Sequence, residues 1–186
     1  MKEAAQLHTA FVADCLVRAN KLADLGHADV ELHTDELTDA WAHFGVTNRL
    51  QVAGDLGARM YTAMRNALDQ GRPSAMIVGT DSPTLPAAYL EELLRLDADV
   101  ALGPSEDGGY YAICCRRVAT AMFHSVNWST SSALCDTEAS CTQAGLTVRR
   151  GSPWYDVDNF ADLNRLIAEG NLPEHTAKIL EKLHVG

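Results

Sequence analysis

Apolar residues recur at steps of three and four positions in several parts of the chain, and this spacing predicts amphipathic helices. The first twenty residues follow it with a single apolar face, made of Ala4, Leu7, Phe11, Cys15, Leu16 and Ala19. A longer helix is predicted between Asp55, which can cap it, and Leu68, because Gln70 and Gly71 then end it. Weaker or shorter helical patterns occupy residues 35–44, 86–96, 131–145, 160–169 and 175–184.

Short apolar runs between these helices predict strands. Residues 74–79 form a compact run that ends at Gly79, as expected for a strand buried on both faces. Residues 99–103 and 110–115 predict two more strands joined by a loop of turn-forming residues, and shorter strands are predicted at 28–33 and 146–149. Because strands alternate with helices, we predict an α/β fold with a largely parallel sheet covered on both faces.

Composition narrows the class of protein. The 186 residues, 47% of them hydrophobic, predict one compact domain over 1–186. The net charge of -10 opposes binding to nucleic acid. The five cysteines form no Cys-x-x-Cys pair, which favours a reducing cytosol over a disulfide framework or a zinc site. No apolar run approaches the ~20 residues that span a bilayer, so we expect a cytoplasmic protein without membrane contact.

An acidic residue, Asp81, follows the most buried-looking of the predicted strands. The segment GTDSP, residues 79–83, places Asp81 just beyond the strand end, which is where ligands bind in open α/β sheets. The alternative is that Asp81 or Ser82 only shapes the turn before the next helix. The isolated pentapeptide does not decide between a ligand site and a turn.

A second acidic loop lies between the strands predicted at 99–103 and 110–115. It contains Glu106 and Asp107 followed by Gly108 and Gly109, and adjacent glycines let backbone N–H groups approach a phosphate or a sugar closely. An ordinary hairpin with Asp-Gly chemistry is the alternative. Since a plain hairpin does not need Glu106 beside Asp107, we favour a functional loop.

Two further acids flank an apolar residue near the carboxyl terminus. On an extended segment Asp156 and Asp158 point the same way, so they could share a hard cation such as Mg²⁺ or Mn²⁺ with Asp81. The alternative is that Asp158 or Asn159 caps the following helix. From the three acidic motifs together we expect the strand ends at Val78, Leu102 and Tyr155 to gather on one edge of the sheet.

The start of the helix at Asp55 is a candidate anion site. Gly54, Asp55 and Gly57 open the helix, and Arg59 can reach a phosphate, but a simple cap and a surface charge explain Asp55 and Arg59 equally well. Residues 128–130 (WST) are interpreted as the cap of the next helix. The seven histidines show no ligand spacing and are interpreted as surface or packing residues; they are His8, His27, His33, His43, His124, His175 and His184.

Five motifs in this order closely resemble one family over nearly the whole chain. They are GDLGARM (54–60), GTDSP (79–83), GPSEDGGYY (103–111), WST (128–130) and the Asp156–Asp158 pair followed by Asp162 and Leu163. The family is that of the GT-A-like glycosyltransferases called radical-SAM/selenodomain-associated transferase 1. A more distant resemblance is to the molybdenum-cofactor and phospholactate guanylyltransferases.

The resemblance implies a Rossmann-like three-layer α/β/α sandwich of the nucleotide-diphospho-sugar transferase type, with a mixed, mainly parallel sheet. It implies a nucleotide-sugar donor, an unknown small-molecule acceptor and Mg²⁺ or Mn²⁺. Asp81 would be the metal-binding acid and Asp158 the second metal carboxylate. Glu106, Asp107, Gly108 and Gly109 would line the donor sugar or the acceptor.

One feature departs from the resemblance. The family normally begins with a strand and a basic loop of the Lys-Thr-Arg-Leu type, whereas this chain starts at the first helix. We therefore expect an N-terminally truncated domain, a rearranged sheet, or a strand supplied by another chain. Two alternatives to a glycosyltransferase stay open: a nucleotidyltransferase of the guanylyltransferase type, and a non-catalytic remnant domain.

Overall fold

The computed structural model describes residues 2–25 and 28–183. Its internal contacts form two compact units. Unit 1 contains Met1–Leu50, Thr80–Ala87 and Asp156–Gly186, and unit 2 contains Gln51–Gly79 and Ala88–Tyr155. Two of the histidines interpreted above as surface or packing residues, His27 and His184, lie outside the described residues.

Helices and strands alternate along the chain, as the hydrophobic pattern predicts. The helices are α1 (Lys2–Asp24), α2 (Leu56–Asp69), α3 (Ala87–Arg95), α4 (Ala133–Gln143), α5 (Phe160–Glu169) and α6 (Glu174–Leu183). The strands are β1 (Glu31–Thr34), β2 (Thr47–Leu50), β3 (Ala75–Val78), β4 (Val100–Pro104), β5 (Tyr110–Cys115) and β6 (Val148–Arg150). Two 3₁₀ helices span Asp39–Phe44 and Thr120–Phe123. No helix in the described part of the chain is both long enough and apolar enough to cross a membrane.

Unit 1 is built around the long helix α1, which packs against α6. The buried carboxylate of Asp14 on α1 accepts hydrogen bonds from the backbone N–H groups of His175 and Thr176 at 3.0 and 2.8 Å. These are among the first N–H groups of α6, which no helical carbonyl can accept, so Asp14 satisfies them from another helix. Strands β1 and β2 form a separate two-stranded parallel sheet in which Glu31 lies opposite Thr47.

Unit 2 is organised by a four-stranded sheet in the order β3-β5-β4-β6. Strand β5 is antiparallel to both β3 and β4, whereas β4 and β6 are parallel. Three of the four strands therefore run in the same direction, and the predicted mixed, mainly parallel sheet is confirmed. The buried core formed on this sheet contains Val100, Leu102, Ile113, Cys115, Met60, Met64, Met122, Phe123, Leu134, Cys141 and Leu146.

The register of unit 2 brings strand ends together as predicted. Val78 of β3 and Gly103 of β4 both lie opposite Ala112 of β5, so their carboxyl ends are level. The segment at Trp154 joins the same edge through a parallel bridge to Ser105. The prediction that strand ends near Val78, Leu102 and Tyr155 gather on one edge is confirmed.

Three sequence-based details were wrong or incomplete. The helix predicted over 35–44 is a 3₁₀ helix that begins only at Asp39, after Thr38 has capped it. Strand β2 and the 3₁₀ helix Thr120–Phe123 were not predicted. The segment WST does not cap α4: Ser132 is the N-cap residue and makes no side-chain capping bond, while the Thr130 hydroxyl donates to the Asn127 carbonyl oxygen.

Candidate functional site

The loop that follows β3 contributes residues 80–87 to unit 1 and is joined there to the segment that begins at Asp156. The Val157 N–H donates to the Asp81 carbonyl oxygen at 2.8 Å. The Ser82 hydroxyl donates to a carboxylate oxygen of Asp156 at 2.6 Å. The backbones of two predicted acidic motifs therefore meet, although 74 positions separate Ser82 from Asp156.

Asp81 has an unusual electrostatic environment for a partly exposed acid. About half of its side chain is exposed, and one carboxylate oxygen lies 3.6 Å from His8 Nε2. Burial of the rest of the carboxyl group raises its pKa, and the negative charge of Asp156 raises it further, whereas His8 acts in the opposite direction. A cation that approached Asp81 would stabilise its ionised form, which the protein alone stabilises poorly.

Helix α1 holds the backbone of this loop, a role that the sequence did not reveal. The Cys15 thiol contacts the Thr80 carbonyl oxygen at 3.8 Å, and burial raises the pKa of that thiol. The Arg18 guanidinium donates to the carbonyl oxygens of Ser82 and Pro83. His8 Nε2 also lies 3.2 Å from the Thr80 hydroxyl, so His8 belongs to the site as well as to the surface.

Asp158 is exposed and does not cap α5 with its side chain. The capping residue is Asn159, whose side chain accepts from the N–H groups of Ala161 and Asp162, while Asp162 accepts in return from the N–H of Asn159. This reciprocal capping box fixes the start of α5. Among the described residues, no group of three or more His, Cys, Asp or Glu side chains is arranged to hold a metal ion.

In unit 2 the loop between β4 and β5 is held by its own backbone and by α4. The Gly109 N–H donates to Asp107 Oδ1 at 2.8 Å, and the Ser105 N–H donates to the Gly109 carbonyl oxygen at 3.0 Å. Gly108 has a φ of 92°, and a Cβ there would lie 2.1 Å from the Ser131 carbonyl oxygen. The close backbone approach expected of these glycines is therefore present at Gly108, but the observed approach is to Ser131, just before α4.

The side chains of Glu106 and Asp107 remain exposed at the tip of this loop. Beneath them, the Glu106 N–H donates to the Trp154 carbonyl oxygen at 3.0 Å. The Ser105 hydroxyl and the Trp154 indole N–H are buried without a hydrogen-bond partner among the described residues. Buried polar atoms of this kind are uncommon and mark a place where a water or a ligand atom can bind.

The contacts at the start of α2 are those of a simple helix cap, which was one of the two interpretations given for Asp55; the other was an anion site. Asp55 caps the helix by accepting from the Ala58 N–H at 2.8 Å. Arg59 donates to the Gly54 carbonyl oxygen at 3.2 Å and to the Gln51 side chain at 3.0 Å. Binding of a nucleotide by Gly54, Asp55 and Arg59 stays a prediction, since their contacts are those of a structural cap.

Comparisons with known proteins identify a family and a similar solved structure. The profile of a family described as "Uncharacterized protein conserved in bacteria" (DUF2064) matches residues 13–130. No protein among those with curated functions matches the chain in sequence.

The solved structure of a putative nucleotide-diphospho-sugar transferase from Desulfovibrio desulfuricans G20 is similar to this chain, with a TM-score of 0.83 and 28% sequence identity. The similarity covers 97% of this chain and 83% of that one. It confirms the expected Rossmann-like α/β fold of the GT-A-like type. The profile match spans well over half of the chain, and the chain therefore belongs to the bacterial DUF2064 family.

Proposed function

We propose that this protein is a glycosyltransferase that moves a sugar from a nucleotide-diphosphate donor to a small-molecule acceptor, with Mg²⁺ or Mn²⁺. The observation that carries the proposal is the similarity, over 97% of the chain and at 28% identity, to the structure of a putative nucleotide-diphospho-sugar transferase. The fold alone would not assign a reaction, because unrelated functions share folds. The environment of Asp81 adds an independent chemical argument.

The acids of unit 1 fit a cation that arrives together with the donor. Mg²⁺ is commonly held by one or two carboxylates together with substrate phosphates, and it keeps several waters. Asp81 with Asp158 as the second carboxylate suits that arrangement better than a site made only of protein ligands, which the described residues do not form. When bound, the cation would offset the negative charge that develops on the leaving diphosphate.

The roles of the protein's own residues follow from their contacts. Ser82 holds the Asp156 carboxylate by a hydrogen bond, and Arg18 holds the loop backbone, so the backbone that carries Asp81 is held in place before a ligand binds. In unit 2, the exposed carboxylates of Glu106 and Asp107 can accept hydrogen bonds from sugar or acceptor hydroxyls. Gly108 and Gly109 would line the same ligand with backbone atoms.

The first experiment measures thermal stability with Mn²⁺ and either uridine or guanosine diphosphate. A ligand that binds the folded state raises the melting temperature. We expect Asp81→Asn and Asp158→Asn each to remove most of that rise. Asp35→Asn, an exposed acid elsewhere in unit 1, is the matched control and should keep the full rise. An unchanged rise in both site variants would place the ligand elsewhere.

The second experiment identifies the reaction from its product. A glycosyltransferase releases a nucleoside diphosphate from a nucleotide sugar, whereas a nucleotidyltransferase releases inorganic pyrophosphate from a nucleoside triphosphate. We expect the diphosphate, and expect its release to depend on Mg²⁺ or Mn²⁺ and on Asp81. Pyrophosphate release would support the guanylyltransferase alternative, and binding without either product would support a non-catalytic domain.

A further inference from the structure

Unit 1 contains a cavity that the proposed reaction does not use. It has a volume of about 370 Å³ and lies between α1, the 3₁₀ helix Asp39–Phe44 and α6. We propose that this cavity binds a planar aromatic anion, such as an aromatic carboxylate. The volume falls within the range of about 300–1,000 Å³ that is typical of small-molecule sites, although near its lower end.

Aromatic rings form one wall of the cavity. The Phe44 ring lies at the centre of this group, with centroid distances of 4.2 Å to His43, 5.8 Å to His175 and 6.1 Å to Trp41. All three pairs are tilted rather than stacked, so ring faces and edges are both presented. Flat ligands bind to such walls through offset-stacked and edge-to-face contacts.

Small residues on α1 leave the room that the ligand would occupy. Ala10 and Ala13 are buried and line the cavity, and α1 places them one turn apart on the face that packs against α6. The opposite wall is fixed, because Asp14 of α1 accepts from the backbone of His175 and Thr176 at the start of α6. The cavity is therefore formed before a ligand binds, which lowers the entropy lost on binding.

The charge at the rim selects an anion. Lys178 and Lys182 line the cavity one turn apart on α6, and none of the described residues that line it is an Asp or Glu. This local positive charge contrasts with the net charge of -10 of the whole chain. Lys178 also pairs with Glu174, an exposed contact that exchanges readily with a ligand carboxylate.

The test is a titration with 2-naphthoate, compared with the uncharged 2-naphthamide, followed by NMR. We expect both compounds to shift the Trp41 indole signal and the ring signals of His43 and His175, and the carboxylate to bind more tightly. The double variant Lys178→Gln/Lys182→Gln should weaken naphthoate about fivefold, or ~1 kcal/mol, and leave naphthamide unchanged. Lys2→Gln/Lys21→Gln on α1, which removes the same charge elsewhere, is the control.

Filling the cavity provides the second arm. Ala10→Leu places a larger side chain in the space and should abolish binding of both compounds. Because that variant can fail to fold, Ala40→Leu at the exposed rim is measured as well and should weaken both compounds at least threefold. Signals that do not shift at Trp41, His43 and His175, or an equal loss of both compounds in the lysine variant, would overturn the proposal.

Discussion

The two ends of the four-stranded sheet in unit 2 differ in how completely their polar groups are paired. At the amino end of β4, Asp99 accepts from the N–H and the hydroxyl of Thr147, both at 2.9 Å. Arg116 at the same end donates to the carbonyl oxygens of Leu94, Leu96 and Ala98. At the carboxyl end, the Ser105 hydroxyl and the Trp154 indole N–H are buried without a described partner.

This difference fits a structural role for the amino end and leaves the carboxyl end as the candidate for the proposed ligand binding. The hydrogen bonds of the amino end join Asp99, just before β4, to Thr147, just before β6. The carboxyl end keeps unpaired polar atoms and a loop in a left-handed backbone conformation at Gly108. Ligands bind beyond the carboxyl ends of strands in folds of this type, so the unpaired groups are where the fold predicts a site.

The largest expected effect is that of Gly108→Ala at the carboxyl end. The new Cβ would lie 2.1 Å from a backbone oxygen, that of Ser131, and the φ of 92° is unfavourable for alanine. We expect a loss of about 3 kcal/mol or more in the free energy of unfolding, measured by urea denaturation. Gly145→Ala, with a φ of 75° and no described atom within 4 Å, is the control and should lose only about 1–2 kcal/mol. Equal losses in the two variants would show that the close approach to Ser131 does not exclude a side chain at position 108.

The next largest loss of stability is expected for Asp99→Asn at the amino end. The variant removes the charged acceptor of the Thr147 and Arg117 hydrogen bonds, and such bonds are stronger than neutral ones. We expect a loss of about 1–2 kcal/mol in the free energy of unfolding at pH 7. Asp97→Asn, two positions away, should change little. No loss in Asp99→Asn would contradict the structural role assigned to this end.

The same variant has a defined pH dependence. The Thr147 N–H lowers the pKa of Asp99 below its usual value of 3.8, and the Thr147 hydroxyl and Arg117 lower it further. A lowered carboxyl pKa stabilises the folded protein above the unfolded pKa, and this contribution is lost as the pH falls through the folded pKa. The difference between wild type and Asp99→Asn should therefore shrink as the pH falls below 3.8.

The sequence predicted those parts of the fold whose signals are local. Helix α5 was predicted with its observed bounds, because its apolar spacing is regular and Asn159 with Asp162 marks its start. Strand β2 was missed because Thr47, Asn48, Arg49 and Leu50 show no apolar alternation and are largely exposed. Its partner β1 holds it by backbone hydrogen bonds, and backbone pairing leaves no mark in the pattern of side chains.

The sequence could point to a candidate residue where that residue belongs to a motif after a recognisable strand. It could not point to residues that a distant helix contributes. Asp81 stands directly after a recognisable strand, so its position was clear from the sequence. His8 and Arg18 contribute from α1, and 72 positions separate His8 from the Thr80 hydroxyl beside it. Neither residue has a distinctive neighbour in the sequence. Only the packing of α1 within unit 1 brings them to the loop.

A smaller effect is expected for Tyr111→Phe near the carboxyl end. The Tyr111 hydroxyl donates to the Ser152 carbonyl oxygen at 2.8 Å, and the ring covers Gly103. Phenylalanine keeps the ring but leaves the carbonyl oxygen without this donor, so we expect a loss of about 1 kcal/mol in urea denaturation. Tyr61→Phe, a half-buried residue of α2, is the control. No loss in Tyr111→Phe relative to this control would show that the hydrogen bond to Ser152 does not stabilise the fold.

The smallest effect, and the one of opposite sign, is expected for Asp81→Asn after β3. Burial raises the pKa of Asp81 above its usual value of 3.8, so ionisation of this carboxyl group disfavours the folded state. That penalty is absent when the group is protonated in both states, grows as the pH rises above 3.8, and is complete above the folded pKa. Without ligand, Asp81→Asn should therefore melt slightly higher than wild type at pH 7 and equally below pH 3.8, whereas Asp99→Asn melts lower at pH 7. A lower melting temperature for Asp81→Asn at pH 7 would mean that Asp81 stabilises the fold as Asp99 does, and the proposed distinction between Asp99 as a structural acid and Asp81 as a ligand-binding acid would fail.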